Sequence, residues 1–562
     1  MNERQKRRRI SESEIEARFR QLESIVELQK TGLTTRRENQ DGITGDSPDE
    51  LWRGDDMPDN PHMQPAGDAL GQEALQSGQG RHDTQGETDL SAALLHGQTT
   101  SNNAIPFGAQ TSPGPSIWLR PLDGDEYTGP SSGISILSTQ GLKWTQQTLG
   151  QARTLPSSVF EGLRKSLLGH LRVPKCMTND SWVFSSAKDI PPAAEVWRYI
   201  NAYFDSVQTI FPILDKQQHL RLTAEYLANP VEASPSWNAL FYAVLASGCR
   251  AALANETPDG FRDSGREAWG FFKNAMAMET QLIHRRTDLM AVQAFAVMTV
   301  YAQGMASPQR LEYTLCSIAA RLSQTLGLHQ NPASEWNLTN EEQCERNRTF
   351  WIVYCLDKTI ALRCGRPCIF DDDDISCGGP GSCGTTVLDS TISSEVPTVP
   401  PFNFLLAYSE LAKMCGIVGK HLYSARALGK SCRDLVHVAT LLLSNLEAWL
   451  RRLPEAVQPR GPSRLSALRA DMPTLEQGLS LQFGYFYVIC AVHRRFTPLF
   501  QHPSESFSFQ APTESMSFME AARKMILLTK HLDINSYTPA WSVRSSTSPH
   551  SLTHNTRAYT RV

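Results

Sequence analysis

Four consecutive aspartates, Asp371 to Asp374, close a segment that begins RTFWIVYCLDKTIALRCGRPCIF at Arg348 and carries another carboxylate, Asp357, within its apolar run. Three roles compete for these acids. They could hold Mg²⁺ against a diphosphate, join nearby cysteines in a metal site, or end a packed helix without doing chemistry. A Mg²⁺–diphosphate site needs carboxylates one helical turn apart, so that two reach the same cluster. Four residues after Asp371 stands Ile375, and no second acidic helix motif occurs. Successive aspartates on a helix would point around it and repel, so a solvated loop or a helix start suits them better. Structural zinc draws on two cysteine pairs, each two to four residues apart. Cys364 and Cys368 straddle a Gly-Arg-Pro turn, and Cys377 and Cys383 are six apart. A reduced, non-ligating set is the expectation, with no metal and no catalytic residue in the chain.

The remaining enzyme signatures fail on context. GPGSCG at 379–384 has the spacing of a dinucleotide-binding loop, but TTVLDSTISSEVPTVPP follows it. That loop requires a helix whose N-terminus takes the pyrophosphate. No HEXXH and no deaminase-type HxE with PCxxC is present. Packing is then the reading that accounts for the segment. Phe350, Trp351, Val353, Tyr354, Leu356 and Ile360 make a bulky helix surface around Asp357. A carboxylate there needs a partner or a hydrogen bond, and Arg321, Arg363 or Arg366 could supply one. Gly365 and Pro367 stop the helix and hold Arg366 between two conformationally special residues.

The elements that position this segment are helical. Thr339 and Glu342 have capping-box spacing and open its helix. EVWRYINAYFDSVQTIFPIL puts Val196, Ile200, Tyr203, Val207 and Ile210 on one face. Residues 237–254 and 289–306 are apolar nearly all round, as befits helices in the middle of a domain. Leu315, Ile318, Leu322 and Leu326 share a stripe that ends at Gly327, placed as a left-handed C-terminal residue. Further helical periodicity runs through FNFLLAYSELAKMCGIVGKHLYS, LVHVATLLLSNLEAWLRRLP, LQFGYFYVICAVHRRF and MEAARKMILLTKHLD, with no run of alternating strands. The expectation is a large all-α domain over 171–535.

Around it the chain changes character. Apolar residues make up 40% of 562, yet mean hydropathy is −0.33, as expected of a chain part globular and part polar. Residues 31–170 are rich in Gly, Ser, Thr, Gln, Asn, Asp and Pro and are expected to be a mostly disordered linker. Residues 536–562 read as a disordered tail. Residues 1–30 hold a basic block, Arg4, Lys6, Arg7, Arg8 and Arg9, suited to nuclear import or DNA phosphate contact. Behind it Ile15, Phe19, Leu22 and Val26 fall on a short coiled-coil seam, a candidate dimerisation face. Net charge is −4, so the bulk composition does not advertise nucleic acid. No secretory signal and no membrane-spanning run is visible, which points to the cytosol or nucleus, with the basic block favouring the nucleus.

Taken in order, these pieces resemble the fungal-specific transcription factor domain, the middle homology region of fungal zinc-cluster regulators. Its signature is similar to Arg348, Phe350, Trp351, Tyr354 and Asp357 followed by Gly365-Arg366-Pro367 and an aspartate run. YFDSVQTIFPILD at 203–215, AARLSQTLGLH at 319–329, Trp449 with Leu453-Pro454, and YFYVICAVHRRF at 485–496 resemble further family elements. The resemblance implies a nuclear regulator of RNA polymerase II promoters, an all-α regulatory domain, and a homodimer or a heterodimer with a related regulator. It also implies a small-molecule effector. Residues 4–28 look like the family's basic linker and coiled coil, but no cysteine precedes Cys176, so the six-cysteine zinc cluster is missing. Zinc is therefore expected only if such a cluster exists upstream. DNA binding by the chain as written is expected to be weak and non-selective, because phosphate contacts carry no base information. The alternatives are an interaction partner that does not bind DNA and modulates an intact family member, and an all-α Mg-dependent isoprenoid enzyme.

Overall fold

The structure, a computed structural model, describes residues 114–119, 126–150, 188–229, 233–253, 260–285, 287–304, 309–380, 402–455, 457–458, 474–500, 516–528 and 531. All belong to the unit Ala104–Val562. The basic block, the seam from Ile15 to Val26, most of the linker, Cys383 and the tail after 536 lie outside the described residues.

The described fold is all-α, with one small hairpin. Strands β1 (Ile117–Leu119) and β2 (Glu126–Thr128) pair antiparallel, with Trp118 opposite Tyr127. A 3₁₀ turn at Gly133–Leu137 leads into α1 (Thr139–Gly150). The main body follows as α2 (Ala193–Ile210), α3 (Lys216–Ala228), α4 (Pro235–Leu253), α5 (Gly260–Met276) and α6 (Glu279–His284). Next come α7 (Leu289–Gln303), α8 (Gln309–Thr325), α9 (Asn340–Cys364) and α10 (Phe404–Val418). A π turn at Gly419–Tyr423 precedes α11 (Ala425–Leu428), α12 (Cys432–Arg452), α13 (Leu475–Arg495) and α14 (Phe518–Leu528).

Side-chain acceptors set many of the helix starts, because the first amides of a helix have no partner within it. Asp215 accepts from the Gln218 N–H at 2.8 Å, Asp288 from Ala291 at 2.8 Å and Asn403 from Leu406 at 3.0 Å. The capping box expected at α9 is present. The Thr339 N–H donates to Glu342 at 2.9 Å, and the Glu342 N–H donates to the Thr339 hydroxyl at 3.2 Å. The same device opens α13 through Thr474 and Gln477.

Apolarity decides which helices lie inside. α7 is buried from Ala291 to Gln303 and packs against α8, α4 and α9; α4 in turn meets α5 and α2. α9 lies against α8 and α10, and α10 meets α12 and α13. Rings join the layers: Phe272 stacks on Tyr301 at 4.4 Å, and the Arg250 guanidinium lies 3.6 Å from the Tyr301 ring centre. The Trp449 indole donates to the Ala407 carbonyl at 3.1 Å, tying α12 to α10.

Gly248 is where α2 and α4 come closest. A Cβ there would stand 1.9 Å from the Tyr199 carbonyl oxygen. Gly265, inside α5, has nothing within 4 Å of the same position. We therefore expect opposite outcomes from one substitution. In urea unfolding, Gly248→Ala should lose about 1–3 kcal/mol by overpacking. Gly265→Ala should gain about 0.5–1 kcal/mol by restricting the unfolded chain.

Candidate functional site

The C-terminal half of α9 places its aromatic face inward. Phe350 is fully buried, edge-on to Trp351 at 5.3 Å and to Phe370 at 5.2 Å. Trp351 is half-buried and its indole donates to the Gly378 carbonyl at 2.8 Å. Arg348, one turn earlier, is half-buried, and its Nε has no hydrogen-bond partner. The helix ends at Gly365, whose φ of 71° is left-handed and suits glycine. Beyond it the chain turns back along α9.

That reversal supplies the partner of Asp357. The carboxylate is 3% exposed. The Ile369 N–H donates to both its oxygens, at 3.0 and 2.9 Å, and the Phe370 N–H donates at 3.1 Å. Backbone amides, rather than an arginine side chain, hold this acid. The three arginines expected there are engaged elsewhere. Arg321 donates to Gln324 at 3.0 Å, Arg363 pairs with buried Glu312 at 2.6 Å, and Arg366 Nε donates to the Tyr127 carbonyl at 2.9 Å. Amides of a returning loop lack helical partners, so a buried acceptor opposite them offsets their desolvation.

The aspartate run lies just beyond and its members diverge. Asp372 accepts from the Tyr354 hydroxyl at 3.0 Å and pairs at 2.7 Å with Lys358, itself buried and donating to the Phe370 carbonyl at 2.8 Å. Asp371 starts the 3₁₀ turn Asp372–Asp374 and meets Lys420 at 3.1 Å on the surface. The Asp374 carbonyl accepts from the Gln330 amide at 2.6 Å. Among the described residues no group of three or more His, Cys, Asp or Glu side chains is placed to share a metal ion. The Cys368 thiol is 3.7 Å from Lys358 Nζ, and the Cys364 thiol is 3.8 Å from Glu312. The arrangement fastens the loop after Gly-Arg-Pro to α9 through Ile369, Phe370, Asp372 and Gly378.

The sequence reading missed what docks on the outside of this turn. Residues 126–138, assigned by composition to the linker, pack against the end of α9. The Gly129 N–H donates to the Cys364 carbonyl at 3.3 Å and the Ser131 hydroxyl to the Leu362 carbonyl at 2.8 Å. Gly129 and Gly365 meet backbone to backbone: a Cβ on Gly129 would stand 1.9 Å from the Gly365 carbonyl oxygen. Buried Arg494 of α13 donates to the Ser131 carbonyl. Arg366 lies over the Tyr313 ring at 5.0 Å, and the Tyr313 hydroxyl donates to the Pro367 carbonyl at 2.9 Å. Gly365 and Arg366 thus form a platform that receives β2 and the turn after it, with Pro367 tied to Tyr313 of α8. These contacts use glycine and backbone groups, which leave no side-chain periodicity to read.

The platform lies within residues that match a known domain. Residues 200–453 match the fungal specific transcription factor domain. The chain is 30% identical over 376 residues to an ABC-transporter-regulating transcription factor of Aspergillus fumigatus, covering 66% of this chain and 40% of that protein. It is 26% identical over 390 residues to an uncharacterized transcriptional regulatory protein of Schizosaccharomyces pombe, covering 66% and 46%. Against the transcriptional activator protein acu-15 of Neurospora crassa it is 25% identical over 406 residues, covering 69% and 39%. The chain spans less than half the length of each of these curated relatives. β2, the turn after it and α13 fall outside the residues matched to the domain.

Burial pushes the Asp357 carboxyl up to about 6, against the downward pull of the Ile369 and Phe370 amides. A raised carboxyl favours folding while protonated. That contribution is fully present below the ordinary aspartate value near 4 and is lost as pH rises through about 6. Asp357→Asn removes the titration. We expect the stability of the variant relative to the parent to shift in the variant's favour by roughly 2–3 kcal/mol between pH 4 and pH 6.5. Urea unfolding at the two pH values measures it. Asp357→Ala leaves both amides unpaired, and about 1–3 kcal/mol should be lost at pH 7.

Proposed function

From a chain that carries a fungal specific transcription factor domain at residues 200–453, we propose that it is the regulatory part of a fungal transcription regulator. It acts in the nucleus on RNA polymerase II promoters. The observation that carries this reading is the domain match, which includes the whole of α9. The geometry supports it, because Asp357, Asp372 and Glu312 each hold a protein group and are spent on keeping the fold. On this reading the chain is not an enzyme, and its output is a change in what binds to it. Its partners are DNA and a second regulator subunit. Arg4, Lys6, Arg7, Arg8 and Arg9 serve as phosphate contacts or an import signal, and Ile15, Phe19, Leu22 and Val26 as the dimer seam.

The name of the Aspergillus fumigatus relative supports regulation of genes for transport, and a small-molecule effector follows naturally from such a role. No helix among the described residues is long and apolar enough to cross a membrane.

The direct test tethers the full chain to a heterologous DNA-binding domain upstream of a reporter in a fungal host. Reporter output several-fold above or below the tether alone is the expected result. Output equal to the tether alone contradicts the reading. A gel shift with the untethered chain addresses DNA separately. If all five basic residues contact phosphate, counterion release predicts a loss of affinity of roughly 10²-fold or more between 50 and 200 mM salt. The shift should be the same on random and promoter sequences. Selective nanomolar binding at physiological salt would instead place base-reading residues within this chain.

A further inference from the structure

Two observations set residues 126–138 apart from the helical body they touch. Ile117, Ile136 and Leu137 form a small apolar cluster of their own with Ile134 and Trp144. The attachment to α9 and α13 includes the polar contacts made by Gly129, Ser131, Arg366 and Arg494 and the Gly129–Gly365 backbone contact. A segment with its own core, fastened through hydrogen bonds, can leave without opening the main core.

Arg494 is the costly member of this attachment. It is 3% exposed. Its guanidinium donates to the Ser131 carbonyl and lies 5.7 Å from the Tyr423 ring, whose hydroxyl also bonds it, while its Nε is unpartnered. No carboxylate is among these partners. The Tyr487 hydroxyl, two turns earlier on α13 and within electrostatic reach of Arg363 and Arg494, is buried and unpartnered as well. Nearby charges are otherwise matched: Arg363 has Glu312, and Arg495 is taken up by the Leu422, Ala427 and Lys430 carbonyls. A buried guanidinium held by neutral oxygens is under-compensated. A carboxylate, with two oxygens matching the guanidinium fork, binds it more strongly than one carbonyl.

We propose that residues 126–138 are a displaceable latch, and that a small organic carboxylate displaces them by taking the place of the Ser131 carbonyl on Arg494, with Tyr487 as a second donor. In sequence the latch lies between the basic N-terminal block and the residues matched to the domain, 200–453. The regulatory purpose rests on the proposed function, whereas the latch and its anion do not.

Hydrogen exchange on the purified full chain tests this without DNA or transcription, so its failure is separate from failure of the reporter test. Succinate is the probe, with sodium chloride at equal ionic strength as control. We expect succinate to raise amide exchange in 126–138 at least tenfold and to leave α4 protected. Arg494→Met should show raised exchange in 126–138 from the start and no response to succinate. Gly129→Val, which cannot seat against Gly365, should free 126–138 while α4 stays protected. Loss of α4 protection in step with 126–138 in Gly129→Val would make the segment part of the core and overturn the latch. An unchanged wild type in succinate, or an equal response in Arg494→Met, would overturn the anion site.

Discussion

The fold turns on a single buried carboxylate. Asp357 sits about two turns before α9 ends, and the chain must reverse at Gly365 for the Ile369 and Phe370 amides to reach it. Taking an ionised acid out of water costs several kcal/mol unless donors surround it. Here the donors come from the loop the acid positions, so each stabilises the other. With the loop fixed, Phe370 packs on Phe350 and its carbonyl accepts from Lys358, while Asp372 reaches Lys358 and Tyr354. Of the acids that first suggested a metal site, Asp357, Asp371 and Asp372 each have a separate partner: the loop amides, Lys420 and Lys358.

The same reversal builds an outer surface. Gly365 exposes backbone to the close approach of Gly129, Arg366 reaches back to Tyr127, and Pro367 receives the Tyr313 hydroxyl. The inner side of the turn therefore serves the core, and the outer side receives a segment from more than two hundred residues earlier in the chain. A turn that joins these two levels gives a physical reason for its glycine, arginine and proline to stand together. It also links the family's domain to sequence on both sides of the matched region, through Ser131 and Arg494.

Much of the helical body was legible because helices write their environment into side-chain spacing. The all-round apolarity of α4 and α7 located the centre, and Thr339 with Glu342 marked the start of α9. Gly327 was readable as a left-handed end and Gly365 as a helix stop, and both have positive φ. What was not legible depends on groups every residue owns. The partner of Asp357 is a pair of backbone amides, which no composition or spacing can single out, whereas the arginines nearby are side-chain donors spent elsewhere. Residues 126–138 were assigned to the linker because Gly, Ser and Pro dominate them, yet here glycine permits close approach to another backbone. β1 and β2 are three residues each, too short for an alternating pattern to register.

The measurement that bears most directly on this account is the titration of the Ile369 and Phe370 amides by NMR, on chain labelled with ¹⁵N at isoleucine and phenylalanine. If Asp357 is a buried structural acid held by those two groups, both amide signals shift together with a midpoint near 6. Amides that do not respond, or that follow an ordinary exposed carboxyl near 4, would show that the acid does not hold the turn.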